Sequence, residues 1–345
     1  MNILVINVGS TSTKLALFKG LDCSFEENVL YQGSEPLVEQ LQNRKEGIAE
    51  VLDKRGVNIK ELDVIVSRGG LMKPLPAGIY DINEQMCEDV LSGRYGVRPS
   101  GLGPPMALGL AKTLGIKAIT VDPPSSDEFH ELARISGIPE IERRSALHVL
   151  SQKSAAKIAA KRIGIRYEEG DFVVAHLGGG ITIGAHLKGR VVDCTNGLSE
   201  GALTPERAGS LPTLDLVDLC GNIDAGKLRK RLAGEGGLYA YLGTKDAKAV
   251  ETRIMDGDRK AKLLYEAMAY QISKEIGSIA TVLGGEVNAI VLTGALSNSK
   301  MLDEWIKERV KFIAPILIVA ENEMLALAQG AFEVLKGEAK PKTYK

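Results

Sequence analysis

Residues 2–20, NILVINVGSTSTKLALFKG, recur without a gap 169 positions later as DFVVAHLGGGITIGAHLKG at 171–189, identical at six of nineteen places. In each copy a run of β-branched and apolar residues enters a glycine turn, leaves as a second strand, and closes on Lys-Gly before a third. A chain with this repeat is constrained to fold as two related halves, each nucleated by a glycine-turn hairpin. Gly9 and Gly178 are expected to use positive φ and the missing Cβ to let a phosphate approach exposed backbone N–H groups. A pair of such turns would clamp a phosphate chain.

The repeat extends further. LDVIVSRGGL (62–71) reads as a buried strand ending in a glycine pair, and VNAIVLTGAL (287–296) is its counterpart, now offset by 225. The second half therefore carries about 56 extra residues, which fall largely in 198–255 and have the loop and short-helix character of a substrate-side elaboration. A third strand is expected at 24–32, and helices at 35–56, 103–115, 145–163, 257–283, 297–313 and 323–336. Strands alternating with such helices make an α/β protein with a mixed sheet in each half. The first domain is expected to span 1–145 plus about 324–345 and the second 146–323, with residues 338–345 a frayed tail.

At 345 residues the chain has room for two cores. Its 44 acidic and 43 basic side chains nearly cancel and form no long block, which speaks against nucleic acid or an anionic membrane as partner. No basic leader precedes the first strand, and no apolar stretch approaches the roughly 20 residues a bilayer span needs, so a cytoplasmic protein is expected. Cys23, Cys87, Cys194 and Cys220 are widely spaced and form no CxxC pair, which argues against a disulfide framework or a thiolate zinc site.

The candidate chemistry gathers at strand ends. Asn7, Gly9, Ser10, Thr11, Ser12 and Lys14 make a polar glycine turn, and His176 precedes the triplet Gly178, Gly179, Gly180, a run that weakens a strand unless something needs close backbone access. Neither is a Walker loop, because a strand rather than a helix follows each. Gly294, Ala295 and Asn298 lie in a third small-residue turn, readable either as an N-cap for the next helix or as a nucleotide site. Arg68, Arg143, Arg144, His148, His176 and Arg207 are cationic or ionisable groups beside glycines or helix starts, suited to a reaction in which two anions meet. Asp122 could hold Mg²⁺ or orient an Arg, and Glu323 could serve a metal or simply the dipole of the helix it opens.

These residues and their order resemble the acetokinase family, within the actin, sugar-kinase and Hsp70-like superfamily. The likeness runs nearly end to end through NxGSTSTK, SRGG, RRSALH…SQK, HLGGGITIGAHLKGRVVD, TPERAGSLP…GGLYAYLGTKD, AIVLTGALSNS and ENEMLALAQGA. The resemblance implies a duplicated actin-like (ribonuclease H-like) fold, two mixed-sheet domains flanking an ATP cleft, and a homo-oligomer of two or more chains. The implied activity is ATP- and Mg²⁺-dependent phosphorylation of a short-chain or branched fatty-acid carboxylate, as in the butyrate-kinase branch. That chemistry accounts for the lack of a general base, since a carboxylate with pKa near 4–5 is already a nucleophile at neutral pH.

By the same resemblance Asn7, Ser10, Ser12 and Lys14 lie at the phosphate and metal end, and Gly178–Gly180 with Gly294–Asn298 contact the nucleotide. His176 and Arg207 stabilise the transferring phosphoryl group, Asp122 orients an active-site Arg, and Glu323 is linked to magnesium. Two positions depart from the acetate-kinase pattern. That pattern has an Arg three residues before a His-Gly-Gly, whereas Ile65 stands there in this chain and Arg68 precedes Gly69-Gly70. Arg144 stands where acetate kinases have a histidine. Alternative readings are an acetate, propionate or other small-molecule kinase of the same superfamily, and a non-enzymatic ATP-dependent switch.

Overall fold

The computed structural model describes residues 1–345 except Gln32, Ser34 and Glu321. It divides into two units, Met1–Asp127 with Asn322–Lys345, and Glu128–Glu321. Residues 128–145, read from sequence as the end of the first half, have their partners in the second: Glu128 pairs with Lys153, and Arg143 with Asp193 and Glu200.

In the first unit, β1 (Asn2–Val8), β2 (Ser12–Lys19) and β3 (Asp22–Leu30) form an antiparallel meander, and β4 (Val64–Ser67) lies parallel to β1. β5 (Ile79–Asp81) and β6 (Lys117–Val121) extend the sheet beyond β4. Of the strand expected over 24–32, residues to Leu30 are present, while Gln32 lies outside the described residues. In the second unit β7 (Asp171–Leu177), β8 (Ile181–Leu187) and β9 (Arg190–Cys194) repeat the meander, and β10 (Ala289–Thr293) and β11 (Ile316–Ile318) follow in parallel. The order β11-β10-β7-β8-β9 reproduces β6-β4-β1-β2-β3. Even the parallel register repeats: Ile3 faces Val64, and Phe172 faces Ala289, at the two sequence offsets.

The hairpin register does not repeat. Four residues separate the last β1–β2 pair, Val8 and Thr13, but only three separate Leu177 from Ile181. Asn7 thus faces Lys14 across its hairpin, whereas His176, which replaces it in the second copy, faces Thr182. A one-residue slip changes which side chains are neighbours, so two gaplessly matched sequences give different turns.

Both sheets are covered on both faces, which is why their central strands are apolar throughout. Leu4 and Ile6 pack with Met106 and Ala107 of the Gly103–Leu114 helix, while Val121 meets Gly330 of the Glu323–Leu335 helix on the opposite face. Val173, Ala175 and Leu177 pack against Tyr265, Met268 and Ile272 of the Arg259–Val282 helix; Phe172 and Val174 pack against Ala155, Ala156 and Ala159 of the Val149–Arg162 helix. The insertion forms four short helices, Thr213–Cys220, Ala225–Ala233, Gly237–Leu242 and Ala247–Met255.

The expected frayed tail is instead ordered. β12 (Lys342–Thr343) adds in parallel to β5, and Tyr344 is buried, its hydroxyl donating to Asp89 Oδ2 at 2.6 Å and accepting from the Lys73 N–H at 3.1 Å. A terminal aromatic with a buried acceptor outweighs the polar composition around it. No helix among the described residues is long and apolar enough to cross a membrane.

Candidate active site

The first unit gathers Asn7, Arg68 and Glu323. Asn7 nears the end of β1, Arg68 follows β4, and Glu323 opens the last helix, whose N-cap Asn322 accepts from Leu325 N. Glu323 Oε2 accepts from Asn7 Nδ2 at 3.0 Å and from Arg68 Nη1 at 3.1 Å. A carboxylate so engaged is better suited to holding a hydrated cation through water than to binding it directly. No group of three or more His, Cys, Asp or Glu side chains fit to cage a metal occurs among the described residues. This donor set matches Mg²⁺, which keeps several waters and takes its other oxygens from substrate phosphates.

Beside this trio lies the turn Gly9–Ser12. Three of its carbonyls are occupied: Ser10 O and Ser12 O accept from Arg44, Ser12 O also from Gly9 N, and Thr11 O from Tyr31 N. The N–H groups of Ser10 and Thr11 donate to nothing among the described residues. A turn with bound acceptors and open donors presents a positive face. Lys14 is exposed across the hairpin from Asn7. Gly9 does not have positive φ, contrary to expectation, and a Cβ there would meet only Ser12, at 3.4 Å. Its protein neighbours do not demand glycine. The pair Gly69-Gly70 is a packing feature, since a Cβ on Gly70 would come within 2.5 Å of Gly101 Cα.

Asp122 stands at the neighbouring strand end, since β6 lies parallel to β4 with Thr120 level with Ser67. It follows β6 at φ +41°, a region that Asp tolerates better than most residues. It is buried, with no ion-pair partner among the described residues, so the Arg-orienting role rests on the resemblance alone. Nearby in sequence Thr120 Oγ1 is buried without a hydrogen-bond partner.

The second unit gathers His176, the Gly178–Gly180 turn and Arg207. Gly178 N donates to Gly180 O at 3.1 Å, and Gly179 O accepts from Thr204 Oγ1 at 2.6 Å; the N–H groups of Gly179 and Gly180 donate to nothing among the described residues. None of the three glycines has positive φ. At Gly180 the reason for glycine is space, because a Cβ there would run into the Arg207 guanidinium, whereas a Cβ on Gly179 would meet Glu206 at an ordinary 3.5 Å. Thr204, buried and unremarked in the sequence, accepts from the N–H groups of Glu206 (3.2 Å) and Arg207 (2.9 Å). The first turn of the insertion is thereby fastened to the glycine triplet. Arg207 donates through Nη1 to Gly197 O, its Nε is buried with no hydrogen-bond partner, and burial lowers its pKa against the opposing pull of Glu206. A guanidinium with a buried, orphaned donor is costly unless an anion arrives to meet it.

His176 stacks on His148, with ring centroids 3.9 Å apart. What holds His148 is a chain of polar side chains with no signature in the sequence. His148 Nδ1 lies 3.0 Å from Thr182 Oγ1, which accepts from Gln152 Nε2 at 2.8 Å; Gln152 Oε1 takes His186 Nε2 at 3.0 Å, and His186 Nδ1 faces the Tyr167 hydroxyl at 2.8 Å. His186 is fully buried, and burial pushes its pKa down to about 3, so this support is neutral. Of the neighbouring arginines, Arg143 spends its guanidinium on Glu200, Asp193 and two carbonyls, and the bond to Glu200 raises its pKa most. Arg144 is exposed; its carbonyl accepts from Asn196.

The third turn abuts the second. Gly294 has φ +88°, and a Cβ there would come 2.4 Å from Leu177 O. Ala295–Asn298 is a single 3₁₀ turn, with Asn298 Nδ2 donating to Ala295 O. The following helix is capped by Ser299, one residue beyond Asn298 and the turn read from sequence as a possible N-cap. Thr293 Oγ1, level with His176 in the parallel register, is buried without a hydrogen-bond partner. Open donors therefore collect at the carboxyl ends of both sheets, where α/β folds receive ligands.

The chain is 43% identical to butyrate kinase 2 of Clostridium acetobutylicum, over 99% of each chain. Among solved structures it resembles the acetate kinase of Porphyromonas gingivalis (TM-score 0.79, 18% identity, 97% of this chain and 99% of that one). It also resembles a propionate kinase from Francisella tularensis (TM-score 0.76, 19% identity, 95% and 98%). These distant structures share the fold, that of the actin-like kinases. The acetokinase family pattern itself matches residues 138–334, which include the glycine triplet, His176, Arg207 and Glu323. With the two repeated sheets and their glycine turns, this makes the chain a member of the acetokinase family.

Proposed function

We propose that the protein reversibly transfers the γ-phosphoryl group of ATP to the carboxylate of a short-chain fatty acid, butyrate or a branched relative, giving the acyl phosphate and ADP. The observation that carries this reading is the 43% identity to a butyrate kinase along the whole chain. A carboxylate oxygen forms the new bond to the γ-phosphorus as the bond to the β–γ bridging oxygen breaks, and the electron pair leaves with ADP. No proton needs to move, so positioning and charge neutralisation suffice.

In this reading Gly178–Gly180 and the Gly294–Asn298 turn receive the nucleotide, and the Gly9–Ser12 turn with Lys14 receives phosphate oxygens. Arg207, with its orphan Nε, neutralises charge on the transferring group together with His176; His148, stacked on His176, joins them. Arg68 and Arg144 supply further positive charge, and Asp122 holds a cationic partner in place. Asn7 and Glu323 hold the hydrated Mg²⁺, which when bound neutralises phosphate charge. The protein works in the cytoplasm as a homo-oligomer, to which the exposed Leu214 and Val217 of the Thr213–Cys220 helix contribute apolar surface.

The test is acyl-phosphate formation, trapped as hydroxamate, from purified protein with ATP, Mg²⁺ and straight or branched acids of two to six carbons. Butyrate or isobutyrate is expected to be the best acceptor. No acyl phosphate from any acid would overturn the reading. A strong preference for acetate or propionate would move the chain toward the activities named for its structural neighbours.

A further inference from the structure

We infer that Arg44, far from any glycine motif and on the Gln40–Lys54 helix, is the positioning residue that gives the first glycine turn its phosphate-binding polarity. This rests on the reading of that turn as a phosphate site. Arg44 is only 2% exposed. Its Nη1 donates to Thr13 Oγ1 at 3.0 Å and to Ser12 O at 3.2 Å, and its Nη2 donates to Ser10 O at 3.0 Å. Gln40 Oε1 takes Nε at 3.2 Å and Nη2 at 3.0 Å, and the guanidinium lies over the Tyr31 ring, 4.3 Å from its centroid. Among the described residues no carboxylate is bonded to it; the charge is spent on backbone carbonyls of the turn, one hydroxyl and one amide.

Two consequences follow for the turn. Carbonyl oxygens that would repel a phosphate are drawn onto a cation on the protein side, and the N–H groups of Ser10 and Thr11 keep their hydrogens for a ligand. A full positive charge also stands directly behind a concave anion site, where low dielectric makes it count for more than a surface lysine. Lysine cannot reproduce this, since one ammonium cannot span two carbonyls and a hydroxyl in the plane of a guanidinium.

The experiment compares Arg44→Met, Arg44→Lys and Gly9→Val with the unaltered chain, measuring KM for ATP and for butyrate separately and recording a melting curve for each. Arg44→Met is expected to raise KM for ATP at least tenfold while KM for butyrate stays within twofold; a generally loosened fold would raise both. Arg44→Lys is expected to raise KM for ATP at least threefold, and it decides the matter if Arg44→Met fails to fold. Gly9→Val, whose Cβ meets only Ser12 within the protein, tests the turn itself. If Gly9→Val raises KM for ATP while the folded Arg44 variants stay within twofold, the role of Arg44 is overturned and the phosphate turn stands. If none of the three changes it, the phosphate reading of the turn fails and the inference falls with it.

Discussion

The two glycine turns occupy matching places in matching sheets, yet each has an arginine in a different state. Behind Gly9–Ser12, Arg44 is buried and bonded to protein acceptors through all three nitrogens that donate. At Gly178–Gly180 the carbonyl is held by a neutral hydroxyl, that of Thr204, and Arg207 keeps a buried Nε without a partner. The first turn has a charge built into its frame; the second has a charge left for the ligand. Duplication supplied the same backbone twice, and divergence decided whether the cation supports the turn or meets the substrate. For a phosphoryl transfer this division is apt, since bound phosphates need a rigid cradle and the moving group needs a cation that gains its partner late.

The strongest way to break the comparison is to remove the available charge. Arg207→Ala is expected to lower kcat by about 10²–10³-fold, as when a preorganised donor is lost at a transition state, with KM for ATP within a few fold; unchanged turnover would refute the assignment. A smaller loss should follow from crowding that guanidinium. Gly180→Ala places a Cβ 2.2 Å from Arg207 Nη1, and a displacement of this kind is expected to cost roughly 10–10²-fold in kcat. In the first turn, Gly9→Ala meets Ser12 O at an ordinary 3.4 Å, so its melting temperature should equal that of the unaltered protein; equal kinetic losses at Gly9 and Gly180 would mean that steric room for Arg207 is not what Gly180 provides.

Thr204→Val sharpens the same contrast from behind the turn. It removes the donor to Gly179 O and the acceptor for Glu206 and Arg207 N–H groups, so stability should fall by about 1–3 kcal/mol. Activity should fall more gently than in Gly180→Ala, about tenfold, because the guanidinium is loosened rather than expelled; chemical denaturation and steady-state kinetics on one preparation check both.

The effect confined to acid pH comes last. His186 is depressed from 6.5 to about 3 by burial, so below 6.5 the unfolded chain binds a proton that the folded one refuses. Its contribution is fully present above pH 6.5 and is lost as pH falls toward 3. Melting temperature should therefore decline over that window, and His186→Gln should flatten the decline; an unaltered slope would show that His186 is not held neutral.

Much of this architecture could be read without coordinates. The gapless repeat and the second offset implied two sheets with common strand order, and the pairs β1–β4 and β7–β10 match to the residue in their parallel register. The grouping of Asn7 with Glu323, 316 residues apart, was expected from the resemblance and not from any local pattern. Arg44 was invisible because a helix of ordinary polar composition gives no sign of which cation turns inward. Thr204 and Gln152 were missed for the same reason: a hydroxyl or amide becomes a support only when a backbone carbonyl or histidine lies within reach.

Strand alternation, glycine placement and repetition are properties of neighbouring residues, so the amino-acid order was enough to specify two sheets, their glycine turns and the family of the chain. The one-residue difference between the hairpins, the ordered Tyr344 and the choice of the group behind each turn were settled by folding. Each depends on which pairing buries the most apolar surface while leaving the fewest buried polar atoms without partners, a balance struck across the whole unit and not within any stretch of it.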